Sequence, residues 1–266
     1  MGDSNEFPLT YNQTVKGITE FIEVAIHTIL YVRQVYPAEL FVRRKKYDTP
    51  VFQSRHPVLN EYISGAIKAT RDELVLCNVD KLIVVIKSSS EDVAYERFIF
   101  SIKNMIEIEA YNKDKGQDCC FFPTHALVEV ENPMSASRLG QYFRSFLVKL
   151  GMIDSQLGIL DLRDDITFAI VLELKDAKAP SAAHGKHLRT RTDGNFLIEM
   201  KKPPPWVPAV PQHTTPSASD QTKLHMIRAI DTGVINISLA VQESEEKINR
   251  IKQLDAVDSK GKGRAY

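Results

Sequence analysis

Cysteine is scarce in this chain of 266 residues: Cys77, Cys119 and Cys120 are the three it has, an odd number with no second pair at zinc-ligand spacing. That argues against a disulfide framework or a cysteine-built zinc site and fits a reduced, intracellular compartment. An excess of charge of one sign is missing too. Lys and Arg number 34, as do Asp and Glu, so nothing global steers the molecule towards nucleic-acid phosphates or an anionic membrane, and DNA contact must be local or made through a partner. No run of about 18 uncharged apolar residues exists to span a bilayer, and the start, MGDSNEFPLT, lacks the basic-then-apolar order of a signal peptide. P-loop, dinucleotide fingerprint, H-E-x-x-H, G-x-S-x-G and C-x-x-C patterns are all absent. His184 and His187, like Cys119, Cys120 and His125, lie close in sequence, but neither set supplies a framed tetrahedral metal site. No catalytic residue, metal or cofactor is expected.

What is present reads as an ordinary globular chain, 43% hydrophobic and 26% charged. Between Thr14 and Tyr36 apolar residues recur at Ile18, Ile22, Ile29, Val32 and Tyr36, with further ones around the cylinder. The spacing predicts a central helix ended by Pro37. His27, inside it, reads as a hydrogen-bonded structural histidine. Residues 38–56 predict a hairpin or extended arm around Arg43, Arg44, Lys45 and Lys46. That basic run is either a solvated hairpin or a localisation or phosphate-binding patch. Pro57 opens a second helix with a stripe at Leu59, Ile63, Ala66, Ile67, Thr70 and Leu74, and Tyr62 falls to one side of it.

LIVVIK and YERFIFSI then predict two strands joined through SSSED, followed by a long loop or insertion at 107–132. A third helix starts near Ser135 and buries Leu139, Phe143, Phe146, Leu147 and Leu150, leaving Arg144 and Lys149 on its other side. ITFAIVLEL alternates cleanly and should complete a three-stranded sheet against the helices. From Lys175 the chain turns polar and then proline-rich, with six of the thirteen prolines in PPPWVPAVPQHTTPSASD and FLIEM as a possible short strand before it. GVINISLAVQ, 233–242, nevertheless reads as a good strand, so this segment must cross the domain and dock at its far end. Trp206, the single tryptophan, is either an anchor for the crossing or a partner contact. The residues after 242 read as a fraying helix and charged tail.

TEFIEVAIHTILYVRQVYP, LFVRRKKYDTPV and HPVLNEYI, continued by LIVVIK, RFIFSI, YFRSFLVKL and ITFAIVLEL, closely resemble the HORMA-domain family, in its branch that serves as accessory subunit of translesion DNA polymerase zeta, related to the spindle-checkpoint HORMA proteins. The resemblance covers most of residues 10–242. It implies an α/β (α+β) fold, a three-helix layer packed on a mainly antiparallel sheet, with a core at 10–174 and a "safety belt" at 175–242; the charged residues 243–266, which have no counterpart in the family, read as a mobile tail. It further implies a non-enzymatic, nuclear adaptor whose belt wraps a disordered, proline-containing peptide of the polymerase catalytic subunit. Tyr62 and Trp206 match the family's peptide contacts. Arg144, with Lys149 beside it, matches an arginine used when two HORMA domains pair as a homodimer. Leu224 matches a contact to a second partner, the scaffold deoxycytidyl transferase of translesion synthesis. At Ser238 and Ala240 the family places Gln and Tyr, so that surface differs here. The competing readings are a spindle-checkpoint protein clamping a cell-cycle regulator, a DNA-binding module using Arg43 to Lys46, and an enzyme.

Overall fold

The computed structural model describes residues 8–104, 134–158, 160, 165–177, 180–181, 187–189, 199–201, 206–215 and 222–262. The expected loop at 107–132, the Cys119–Cys120 pair, His125, His184 and Pro203–Pro205 lie outside them. Along the chain run α1 (Tyr11–Val32), β1 (Phe41–Lys46), β2 (Thr49–Ser54), α2 (Pro57–Val75), β3 (Val79–Ser88), β4 (Ala94–Asn104) and α3 (Ala136–Leu150). After the one-turn α4 (Asp154–Leu157) come β5 (Ile166–Leu174), the short pair β6 (His187–Arg189) and β7 (Glu199–Lys201), β8 (Lys223–Asp231), β9 (Ile235–Glu243) and α5 (Glu245–Lys262).

Local chemistry explains the helix starts. Thr10 caps α1 in a reciprocal box with Gln13, Ser135 caps α3 through the Arg138 amide, and Pro57 occupies the first turn of α2, each satisfying or removing an orphan donor. α1 stops at Val32, short of the end expected at Pro37, because Arg33 caps it and Gln34 takes a left-handed φ of 51° that cannot continue a helix. Thirteen of its residues are buried, which makes it the axis of the helical layer. Phe21 stacks on Phe143 of α3 at 4.4 Å and meets Phe146 and Phe100 edge-on at 5.2 and 6.3 Å. Gly17 permits this approach, since a Cβ there would sit 3.1 Å from a Leu139 methyl. His27 is buried and accepts the Ser54 amide at 3.4 Å. Desolvation by burial pushes its pKa down to about 4, as expected when the charged form is disfavoured.

The sheet is wider than the three strands expected. Its order is β5-β3-β4-β9-β8, antiparallel at every step. The strand read at 233–242 is β9, on β4; β8 beyond it was not foreseen. β8 carries a register break between Met226 and Arg228, and it leaves Leu224 and Met226 exposed. Alternation sends Leu82, Val84, Ile86, Phe98 and Phe100 to the helices, while Ile83, Val85, Ile99 and Val171 form a smaller cluster on the opposite face. The basic hairpin β1–β2 stands apart as its own two-stranded sheet, with Arg43, Arg44 and Lys45 exposed. Among the described residues no helix is long and apolar enough to cross a membrane.

The residues after 242 begin inside the fold. Lys247, in the first turns of α5, is fully buried and donates to Glu96 at 2.6 Å, Glu243 at 2.5 Å and the Leu157 carbonyl at 3.1 Å. Arg33 forks onto the same Glu96 at 2.7 and 2.9 Å and also pairs with Asp154. His225 meets Glu243 at 3.0 Å. Burial works to raise the Glu243 pKa, but Lys247 and then His225 hold it below its ordinary value. This buried cluster ties β8, β9 and α5 to α1 and β4.

Candidate functional site

One edge of the sheet is β5, and its outer side faces a groove of about 890 Å³, within the size range of ligand sites. α2 supplies Glu61, Tyr62, Gly65 and Ala66, β5 supplies residues from Ala169 to Leu174, and Pro180 and Trp206 to Val210 close the other side. Tyr62, 47% exposed, rests edge-on against Phe168 at 5.6 Å. Its hydroxyl accepts the Ile170 amide at 3.3 Å. That bond identifies Ile170 as a residue whose backbone points away from β3. With period two, Phe168 and Leu172 point outward as well, so N–H and C=O groups at 168, 170 and 172 are directed at the groove.

The wall opposite is held by two glutamates, Glu73 and Glu173. Glu73, 1% exposed at the end of α2, accepts the Ser181 amide and hydroxyl at 2.6 and 2.5 Å and the Asn78 amide at 3.1 Å, fastening the chain soon after it leaves β5. Further on, the chain returns across the sheet face opposite the helices. There Arg97 donates to the Gln212 carbonyl at 2.5 Å, His213 lies 3.0 Å from the Asp92 carbonyl, and Thr215 is bonded to Glu173 through both its amide and its hydroxyl. The chain then joins β8 on the opposite edge of the sheet. Among the described residues, Pro180–Ser181 and Trp206–Thr215 therefore lie between β5 at one sheet edge and β8 at the other, and flank anything seated on β5.

Tyr62 and Trp206, 144 positions apart in sequence, thus line one groove. The sequence carried no signal for Glu61, Glu73, Pro180 or the outward amides of β5, because none forms a local pattern. Leu224, Ser238 and Ala240 come together elsewhere, on the β8–β9 ladder. Leu224 pairs with Gln242, Met226 with Ala240 and Ala229 with Ser238, all on one face; Leu224 is 59% exposed and Ala240 only 8%. Arg144 is exposed on α3 near Asp48, whose pKa it helps to lower after Lys45. Lys149 lies on the same helix but donates to the Ile227 carbonyl at 3.1 Å, inside the β8 register break. Among the described residues no group of three or more His, Cys, Asp or Glu converges to hold a metal.

The family model described as HORMA domain matches residues 14–197. The human protein "Mitotic spindle assembly checkpoint protein MAD2B" is 27% identical over 248 residues, covering 90% of this chain and 95% of that protein. "DNA polymerase zeta processivity subunit" of Schizosaccharomyces pombe is 31% identical over 159 residues, 59% of this chain and 67% of that one. Among solved structures, a chain of the mitotic checkpoint complex superposes with a TM-score of 0.60 at 19% identity, covering 86% of this chain and 98% of that chain. C. elegans HTP-2 bound to the HIM-3 closure motif gives 0.57 at 11%, over 89% and 93%. The sequence match and the common fold together make this chain a member of the HORMA domain family.

Proposed function

We propose that this chain is a non-enzymatic adaptor, the accessory subunit of a DNA polymerase zeta, which clamps an extended, proline-containing peptide of the catalytic subunit along β5. The observation that carries the reading is the outer edge of β5, with backbone groups directed into a groove that Pro180 and Trp206 to Val210 close on the far side. An incoming strand is recognised by main-chain bonds to such an edge and by side-chain pockets beside it. Proline suits the positions facing Trp206 and Pro180, where a ring packs and no amide is required. Escape requires the crossing segment to lift or β8–β9 to leave β4, so affinity resides in slow dissociation. The name of the fission-yeast relative supports the assignment, and the closure-motif complexes support the mode of binding.

On the same reading the β8–β9 face with Leu224, Ser238 and Ala240 meets the scaffold deoxycytidyl transferase, Arg144 serves a homodimer contact with Lys149 shoring up β8 behind it, and the site of action is the nucleus. The alternative, a spindle-checkpoint clamp on a cell-cycle regulator, draws on the spindle-checkpoint names of the human relative and of a mouse relative, MAD2A, 29% identical over 116 residues. Co-purification decides between them. Wild type should retain a proline-containing segment of the polymerase zeta catalytic subunit through extended washing, with a raised melting temperature, and Tyr62→Ala and Trp206→Ala should lose it. Retention of a checkpoint-regulator peptide in its place, by a well-folded protein, would overturn the polymerase assignment and leave the clamp.

A further inference from the structure

Thr-Pro pairs occur twice in the chain, at Thr49-Pro50 and Thr215-Pro216. This dipeptide is the minimal acceptor of proline-directed protein kinases. Thr49 is buried within β2, whereas Thr215 is half-buried, just past the 3-10 turn Pro211–His213 on the sheet face opposite the helices. We propose that Thr215 is a phosphorylation site for a proline-directed kinase and that its phosphate releases the crossing segment from the sheet.

The geometry makes this hydroxyl a tether. Its amide donates to Glu173 Oε1 at 2.6 Å, and its Oγ1 lies 2.7 and 3.0 Å from the two Glu173 carboxylate oxygens. Lys81 Nζ reaches Oγ1 at 2.9 Å and Glu173 at 3.1 Å, and it also serves Asp80 at 3.4 Å. One cation is therefore already shared between two carboxylates. Phosphoryl transfer forms the Oγ1–P bond as the bond from the γ-phosphorus of ATP to ADP breaks, and the hydroxyl proton leaves to the kinase base. The product has no Oγ1 proton to give Glu173 and carries a charge of about −2 at neutral pH. Set against Glu173 and Asp80, with Lys81 in contact already shared between them and Arg97 acting on Glu173 from farther off while bonded to Gln212, the dianion is repelled. Glu173 lies between Leu172 and Leu174, both groove-lining residues of β5, so losing this tether loosens the roof at Val207 to Val210. The bonds of Gln212 and His213 to Arg97 and Asp92 are upstream and do not involve the phosphate.

The test uses the full chain, ATP and a cyclin-dependent kinase, with mass spectrometry to place the phosphate and amide hydrogen exchange to read the segment. The expected result is phosphate on Thr215 and exchange over 207–215 faster by about tenfold or more, with β3 and β4 unchanged. Thr215→Val should take up no phosphate there and show no kinase-dependent change. Phosphorylated Glu173→Gln should show a smaller rise, and Lys81→Met a larger one. No incorporation, phosphate confined to Thr214 or Ser217, or a phosphorylated Thr215 with unchanged or slowed exchange would each overturn the proposal; slowed exchange would mean that Lys81 captures the phosphate. No partner peptide enters the measurement, so its outcome is separate from that of the polymerase assignment.

Discussion

Lys247→Met removes the cation at the centre of the cluster that fastens the C-terminal strands, while leaving a flexible apolar side chain of similar length. Lys247 and Glu96 are fully buried and Glu243 nearly so. Three donor bonds end with the ammonium, to Glu96, Glu243 and the Leu157 carbonyl. Removing one member of a buried ion pair leaves the other charged and unsolvated, a loss of about 3–5 kcal/mol. The loss should not fall evenly. Glu96 keeps both bonds from Arg33, so α1 and β4 remain compensated, whereas among the described residues the Glu243 carboxylate on β9 keeps His225 as its one side-chain partner. Urea denaturation should therefore show the destabilisation, and hydrogen exchange should concentrate it in β8, β9 and α5. The double variant Lys247→Met/Glu243→Gln should regain part of the loss, because a neutral amide is cheaper to bury than a lone carboxylate. A cost below about 1 kcal/mol, or exchange rising equally in α1 and β9, would refute the reasoning.

Acid should weaken the fold before the carboxylates titrate. The unfolded chain protonates His27 near the ordinary value of 6.5, and the native protein only at about 4. Between those values the unfolded state binds more protons, so stability falls as pH falls, by about 3 kcal/mol in all. His27→Gln should flatten that part of a stability-against-pH curve measured by urea denaturation; an unchanged slope would assign it to other groups. Phe21→Ala empties the middle of the aromatic stack between α1 and α3 and should cost about 3–5 kcal/mol. A value below about 1.5 kcal/mol by the same assay would mean that the helical layer is not centred there.

The helical layer was legible in the sequence because its signals are local. The stripe Leu139, Phe143, Phe146, Leu147 and Leu150 is the buried face of α3, and Ser135 and Pro57 mark helix starts through backbone chemistry that needs no distant partner. The strands β3, β4, β5 and β9 were legible for the same reason, as apolar or alternating runs. β8 was not, since an edge strand with one exposed face and a register break at Ile227 has no sustained period. Lys247 stands in a charged run, SEEKINRIK, that reads as solvated; its burial depends on Glu96, 151 positions earlier. The order of the strands, which edge of the sheet is left open, and the meeting of Tyr62 with Ile170 and Trp206 were likewise decided by tertiary structure. Periodicity and caps determine which face of each element is apolar and where the element starts. Which faces and edges then meet depends on pairings between residues about sixty to a hundred and fifty positions apart, such as Arg33 with Glu96 and Lys247 with Glu96, and no local pattern encodes those.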